Sequence, residues 1–206
     1  MKKSIFISAL TVMMCIAGLS AKAQFAVNAI DIKPLMVGQE VPDKMLTDGN
    51  GNAKSLHNII GDKPTVILFY RGDWCGNCIN HFSEEIIPNL QKINSLGYNV
   101  MLVSPDDPEH IRTTAGKINA SPSMIYSDAA GDLSVAMGIA WQQQERMLQT
   151  LAEHSGGKNK GFVPVISLFV VSPDKKIMFE DIRPDGIRAA SRIKGKLLMA
   201  VLENLQ

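Results

Sequence analysis

Apolar residues in this chain fall in short blocks separated by turn formers, and the blocks switch between strand-like and helix-like spacing. Thr65–Tyr70 is β-branched and aromatic with no charge, which predicts a central strand buried on both faces. Beyond it Phe82, Ile86, Leu90 and Ile93 recur at helical spacing. They predict a helix starting near Cys75 or Cys78 and ending at about Leu96-Gly97, kinked at the internal Pro88. Asn99–Val103 reads as a second strand, Glu109–Ile118 as a helix and Ser123–Tyr126 as a third, short strand. Asp132–Ile139 and Trp141–His154 read as helical segments, and the glycine-rich Ser155–Gly161 breaks the pattern. Val165–Val171 and Lys176–Glu180 are strands joined by Ser172-Pro173-Asp174-Lys175, a connection of hairpin length. The last segment, Ile187–Leu205, carries Ile193, Leu197, Val201 and Leu205 four apart, so this side is expected to pack on the sheet.

Upstream of the central strand lies a smaller extension over residues 24–64. Gly38–Asp43 is a turn-rich entry, Asp48-Gly49-Asn50-Gly51-Asn52 a hairpin turn, and Ser55–Gly61 a short helical turn ended by glycine. Strands alternating with helices, then a hairpin and a final helix, specify an α/β layered domain. Its mixed central sheet is flanked by helices, with the N-terminal extension before it and a helical insertion at Trp141–His154.

The first residues follow a different pattern. Met1-Lys2-Lys3 is basic, Ile5–Leu19 is apolar but short for a membrane span, and Ala21-Lys22-Ala23 offers small residues to a signal peptidase. Residues 1–23 are therefore expected to be a secretory signal, leaving 24–206 as the domain. Export implies the periplasm if the host has a Gram-negative envelope. Lipidation at Cys15 is the alternative, disfavoured by the bulky Met13 and Met14 before it. Cleavage removes Lys2, Lys3 and Lys22 from 21 basic residues and nothing from 20 acidic ones, so the net charge falls from +1 to −2. That balance points to no nucleic-acid or anionic-surface partner. After cleavage no apolar run is long enough to span a bilayer.

Of the three cysteines, Cys75 and Cys78 remain after cleavage. A disulfide between residues three apart closes almost no loop and adds little stability, so reversible chemistry is the better reading. The pair stands where a strand gives way to a helix. Residues three apart on a helix are neighbours within disulfide reach. A cysteine at a helix start also sees unpaired backbone N–H groups, which favour the reactive thiolate.

The strand followed by Trp74-Cys75-Gly76-Asn77-Cys78 resembles the thioredoxin fold. The entry Pro34–Gly38 with Pro42 and Leu46, the Asp48–Asn52 turn, Phe69–Cys75, and the turns at Ser104-Pro105-Asp106 and Ser172-Pro173-Asp174 resemble the alkyl hydroperoxide reductase/thiol-specific antioxidant (peroxiredoxin) group. The likeness runs from about Gly38 to Leu205. Two departures stand out. Where peroxiredoxins have proline, threonine and the peroxidatic cysteine, this chain has Arg71, Cys75 and Cys78, and their later arginine falls near Ile166. The thioredoxin likeness implies a cis-proline facing the pair. Pro164 is the candidate, with Ile166 as the alternative occupant of that place.

The expected function is an exported thiol–disulfide oxidoreductase. Cys75, taken as the more exposed of the two, is the nucleophile and Cys78 the resolving cysteine. The alternatives are a peroxiredoxin-like peroxidase, with Cys78 peroxidatic and Cys75 resolving, and a non-catalytic thioredoxin-fold binding module. Substrates would be protein thiols and disulfides or a peroxide, served by a membrane or periplasmic thiol reductant or oxidant. No cofactor is expected. Nor is a metal, since Cys75, Cys78 and His81 supply three ligands where structural zinc takes four. Trp74 is expected to shield the disulfide. Arg71 either stabilises a thiolate or is a solvated strand-end residue. His81 reads as a surface residue, Asp73 and Glu84 as helix-start charges or proton acceptors, and Met124, Met137 and Met147 as core filler. Arg183 and Arg188 read as a solvated turn.

Overall fold

The computed structural model describes residues 25–184 and 192–205; Met1–Ala23, with the signal segment and Cys15, and Arg188 lie outside them. In chain order the elements are β1 (Met45–Asp48), β2 (Ala53–Ser55), α1 (Leu56–Ile60), β3 (Thr65–Phe69), α2 (Gly76–His81), α3 (Leu90–Ser95) and β4 (Asn99–Ser104). Then follow α4 (Pro108–Ile118), β5 (Ile125–Ser127), α5 (Asp132–Ala136), β6 (Ala140–Gln142), α6 (Glu145–His154), β7 (Phe162–Pro164), β8 (Ile166–Val171), β9 (Ile177–Arg183) and α7 (Gly195–Asn204). Seven strands form one sheet in the order β2-β1-β5-β4-β3-β8-β9, and β6 pairs with β7 in a separate two-stranded ribbon. β3, β4 and β5 run parallel, joined by helical crossovers, while β8, β9 and β1 are antiparallel to their neighbours. This is the mixed sheet expected of a thioredoxin-like domain.

The alternation of side chains along a strand divides the core in two. On one face Val66, Leu68 and Tyr70 meet Leu102, Leu168 and Val170, under Phe82, Ile86, Ile111 and Leu198. On the other, Ile67 and Phe69 meet Met101, Val103, Phe169 and Val171, with Leu56, Ile60, Leu133 and Met137. Cys75 and Cys78 belong to the first face. Tyr70 fixes that end of β3. Its ring meets Phe82 edge-on at 5.1 Å, and its hydroxyl donates to Thr114 Oγ1 at 3.2 Å.

Several expectations need correction. The helix anticipated from Cys75 or Cys78 to Leu96 is not continuous. α2 runs into a wider π-helical turn at Phe82–Ile86 and a tight turn at Ile87–Asn89, before α3. Pro88 lacks the N–H that would bond the carbonyl four residues back, so the break falls where the kink was expected. Trp141 is not helical: Ala140–Gln142 is a strand, and only Glu145–His154 forms a helix. The anticipated strand Val165–Val171 likewise has a separate short strand, β7, before it. α7 begins at Gly195, and Ile193 is buried ahead of it. The helix packs through Leu198, Met199 and Leu202, while Leu197 is 55 % exposed. Its run Lys196-Leu197-Leu198-Met199-Ala200-Val201-Leu202 is apolar nearly all round, so spacing alone offered two faces.

Leu198→Ala is therefore expected to destabilise the domain by about 2–5 kcal/mol through loss of buried contacts and the cavity left behind. Leu197→Ala should change stability by about 0.5 kcal/mol or less. Urea unfolding of the two variants checks the assignment, and equal losses would refute it.

Candidate active site

The redox turn is built where β3 ends. The Tyr70 N–H donates to the Val103 carbonyl at 2.9 Å, so the chain stays on β4 for one residue more. At Gly72 it swings away with φ +139°, a conformation side chains rarely adopt. A Cβ there would lie 2.5 Å from Trp74 Nε1 and 2.8 Å from Asp106 Oδ1. The N–H of Cys75 then donates to the Gly72 carbonyl at 3.1 Å. Cys75 is the residue preceding α2, and Cys78 lies in its first turn, donating its N–H to the Cys75 carbonyl at 2.7 Å. The two Cα atoms are 5.2 Å apart and the sulfurs are joined in a disulfide.

Neither sulfur-bearing residue is exposed. Cys75 is 2 % and Cys78 1 % accessible, so the expectation that Cys75 is the more open of the pair does not hold. What distinguishes them is their surroundings. Arg71 Nη2 lies 3.4 Å from Cys75 Sγ, and its guanidinium sits 5.4 Å over the Trp74 ring. Arg71 is thus half-buried against Cys75 rather than a solvated strand-end residue. Cys78 has its own arginine: Arg192 Nη2 lies 3.7 Å from Cys78 Sγ, and Nη1 donates to the Asn77 carbonyl. Burial lowers the pKa of Arg71. Burial, with the charge of Arg71 beside it, pushes Arg192 down to about 10. A narrow recess lined by Cys78, Arg192, His81, Phe82, Ile166 and Leu168 opens beside the second sulfur, with room for a water-sized molecule.

A model of the AhpC/TSA family matches residues 37–179. The chain belongs to the AhpC/TSA family. No curated protein matches it in sequence. Among solved structures, peroxidoxin BcpB from Mycobacterium tuberculosis is similar at 17 % identity and TM-score 0.62, covering 84 % of this chain and 99 % of that one. Reduced Prx3 from Vibrio vulnificus, in complex with hydrogen peroxide, aligns at 12 % identity and TM-score 0.64 over 82 % and 99 %. AhpC from Enterococcus faecalis aligns at 20 % identity and TM-score 0.61 over 82 % and 90 %. At such identities these structures speak for the fold. Family membership makes this chain a thiol-dependent oxidoreductase.

Against the AhpC/TSA pattern the site is unusual in where its cations come from. Ile166, at the position expected to match the family's later arginine, does line the recess, but the guanidinium there comes from Arg192. Sequence reasoning passed over Arg192, 114 residues from Cys78. Its one local sign was an arginine next to an apolar residue, Ile193, ahead of the last helix. Pro164 ends β7 opposite Ala140, with no cis peptide bond before it. The expectation of a cis-proline there is not met. The residue does line a small cleft with Arg71, Trp141 and Ile166. His81 is neither a surface group nor directed at the sulfurs. It is buried, its Nε2 lies 2.8 Å from the Ile193 carbonyl, and burial lowers its pKa. Glu84 is exposed, whereas Glu85 receives the Gly195 N–H at 2.8 Å and Lys194 at 3.1 Å. Arg183 pairs with Asp181 at 2.5 Å.

Asp73 is not a helix-start charge. It is buried with Asp106 beside the redox turn. Asp106 Oδ2 accepts the Asp73 N–H at 2.8 Å and the Ser104 hydroxyl at 3.1 Å. Burial, followed by the negative charge of Asp73, raises the Asp106 pKa to about 7. Lys117 Nζ reaches Asp73 Oδ2 at 3.4 Å and the Asp73 carbonyl at 2.9 Å.

A guanidinium within about 4–6 Å of a sulfur favours the thiolate over the thiol. Arg192→Gln is expected to raise the pKa of the Cys78 thiol in the reduced protein by about 1 unit, and Arg71→Gln to do the same for Cys75. Thiolate absorbance followed against pH, in each single-cysteine background, measures both. An unchanged titration in Arg192→Gln would remove Arg192 from the site.

Proposed function

We propose that this AhpC/TSA-family protein is an exported thiol–disulfide oxidoreductase in which Cys75 and Cys78 cycle between dithiol and disulfide. The observation that carries the reading is the bond between the two sulfurs at the start of α2, with a guanidinium against each. The Cys75 thiolate attacks a disulfide of the substrate, forming a mixed disulfide and releasing one substrate thiolate. The Cys78 thiolate then attacks Cys75 Sγ and expels the second. The protein dithiol is oxidised and the substrate disulfide reduced to two thiols; the reverse direction uses the same steps. Arg71 holds charge at the attacking sulfur and Arg192 at the resolving one. Trp74 lies under the Arg71 guanidinium, and Pro164 lines a cleft with Arg71, Trp141 and Ile166. Arg71 and Trp74 are half-buried, so a partner that reaches Cys75 must displace side chains rather than backbone.

A second reading draws support from the recess beside Cys78. A peroxide held there would be attacked by the Cys78 thiolate, giving a sulfenic acid and an alcohol or water. Cys75 would then condense with it to the same disulfide, releasing water. The two readings share an oxidised state and differ in the oxidant. The signal segment supports export, with Gln24 as the first residue of the mature chain.

Stopped-flow fluorescence of the reduced protein with hydrogen peroxide, and separately with a peptide disulfide, distinguishes them. Exchange predicts a peroxide rate no faster than that of a free thiol. It also predicts a disulfide reaction abolished in Cys75→Ser and stalled as a mixed disulfide in Cys78→Ser. A fast peroxide reaction that survives Cys75→Ser and vanishes in Cys78→Ser would establish the second reading instead. Export is checked by the mass of the protein recovered from the host, which should start at Gln24.

A further inference from the structure

The polar groups beside the redox turn are arranged for something the sulfur chemistry does not use. We infer that Asp73, Asp106 and His154 form a site for one divalent transition-metal ion of the zinc type. An oxygen of each carboxylate and Nδ1 of the imidazole lie within 4.8 Å of one another. Each carboxylate is anchored by one oxygen and presents the other. Asp106 Oδ2 takes the Asp73 N–H and the Ser104 hydroxyl, and Asp73 Oδ2 faces Lys117. The converging atoms, Asp106 Oδ1, Asp73 Oδ1 and His154 Nδ1, are buried and have no partner in hydrogen-bonding geometry. The two carboxylates are deeply buried, Asp106 at 1 % and Asp73 at 7 % exposure. Orphaned acceptors of this kind carry a large desolvation cost.

The separations fit a metal better than a shared proton. Asp73 Oδ1 and His154 Nδ1 are 2.6 Å apart, close enough for a hydrogen bond but out of line for one. Asp106 Oδ1 is 4.0 Å from the same nitrogen. Ligands at about 2.0–2.1 Å from a tetrahedral ion stand about 3.4 Å apart. The observed distances bracket that value, so small side-chain rotations suffice. An imidazole nitrogen beside two carboxylates selects zinc, iron or manganese over calcium or magnesium, which favour all-oxygen sites. A doubly charged cation offsets both carboxylates, where the half-exposed Lys117 brings one charge. Three protein ligands leave a fourth position for water.

His154 is the last residue of α6, in the insertion of the fold. Its carbonyl accepts the Asp107 N–H at 2.7 Å, and its ring stacks on His110 at 4.1 Å. His110 is in turn held by Asp107 Oδ1 at 2.9 Å. Such outer contacts orient a metal-bound histidine. The ion would join α6 and the loop before α4 to the turn that carries Cys75.

The test uses the mature protein, residues 24–206, in its disulfide form; Cys15 is then absent and both remaining sulfurs are bonded, so sulfur cannot compete for metal. Zinc is titrated against a chromophoric chelator, and Co²⁺ is added in parallel to read coordination from its visible spectrum. One equivalent of zinc should bind, weakened at least about 100-fold in His154→Gln and in Asp106→Asn, with the cobalt spectrum lost. His57→Gln, remote from the site, should bind as the parent does. His154 is partly exposed at a helix end, so His154→Gln keeps the test decisive even if the buried Asp106→Asn variant fails to fold. Absence of stoichiometric binding, or binding unchanged in His154→Gln, overturns the assignment.

Discussion

The redox turn depends on one buried carboxylate. Between the end of β3 and the start of α2 the main chain leaves the sheet, and the Asp73 N–H would be buried without a partner. Asp106 Oδ2 accepts it at 2.8 Å. Leaving such a donor unsatisfied costs about 1–3 kcal/mol. The bond is long-range: Asp106 follows β4, so it ties the cysteine-bearing turn to the neighbouring strand rather than to its own helix. Gly72 makes the approach feasible, because a side chain there would occupy the space of Asp106 Oδ1 and the Trp74 indole. Once the turn is set, Cys75 must fall at the end of the extended chain and Cys78 in the first helical turn, with both sulfurs on the face of the sheet shared with Tyr70 and Phe82.

The parts of this arrangement that repeat locally were readable from sequence. β3 announced itself by six uncharged residues, the Asp48–Asn52 turn by its Asp-Gly-Asn-Gly, and the redox pair by its spacing after a strand. Asp48 shows why such turns are legible: its own carboxylate accepts the Asn50 and Asn52 N–H groups at 2.9 Å each, a contact closed within five residues. β6 and β7 escaped because three residues carry no usable period, and their pairing joins segments on either side of α6. Arg192 escaped for a related reason. Its value to the site comes from tertiary placement, and as a sequence feature it is one more basic residue near a helix start. Asp73 reads as a helix-start charge or proton acceptor, and His154 only as the end of a helical segment. Only the return of α6 to the redox turn reveals that both are partly or fully withdrawn from water and face each other.

The insertion thereby acquires a structural meaning. α6 is amphipathic but buries only Leu151 among its own residues, so apolar packing alone anchors it weakly. Its C-terminal end is held instead by the His154 carbonyl, which accepts the Asp107 N–H, and by the His154 ring stacked against His110. Burial works against charge on His110, but the hydrogen bond and charge of Asp107, with Asp73 and Asp106 behind it, raise its pKa above the ordinary value. The cluster thus concentrates negative charge on one side of the turn.

The other side of the same turn is positive, and this asymmetry bears on redox poise. In the disulfide the two sulfurs are neutral, and they face Arg71, half-buried, and Arg192, buried, each shifted toward deprotonation by burial. Reduction places negative charge on sulfur 3.4 Å and 3.7 Å from those guanidinium groups. The cations therefore stabilise the reduced state relative to the oxidised one, and stabilising the reduced form raises the potential. A change of 1.4 kcal/mol corresponds to about 30 mV for this two-electron couple. Asp73 and Asp106 act in the opposite sense through the backbone they hold, since negative charge near the turn disfavours a thiolate. The shorter reach of the arginines decides the balance. They touch sulfur directly, whereas the carboxylates are turned toward Lys117, Ser104 and His154.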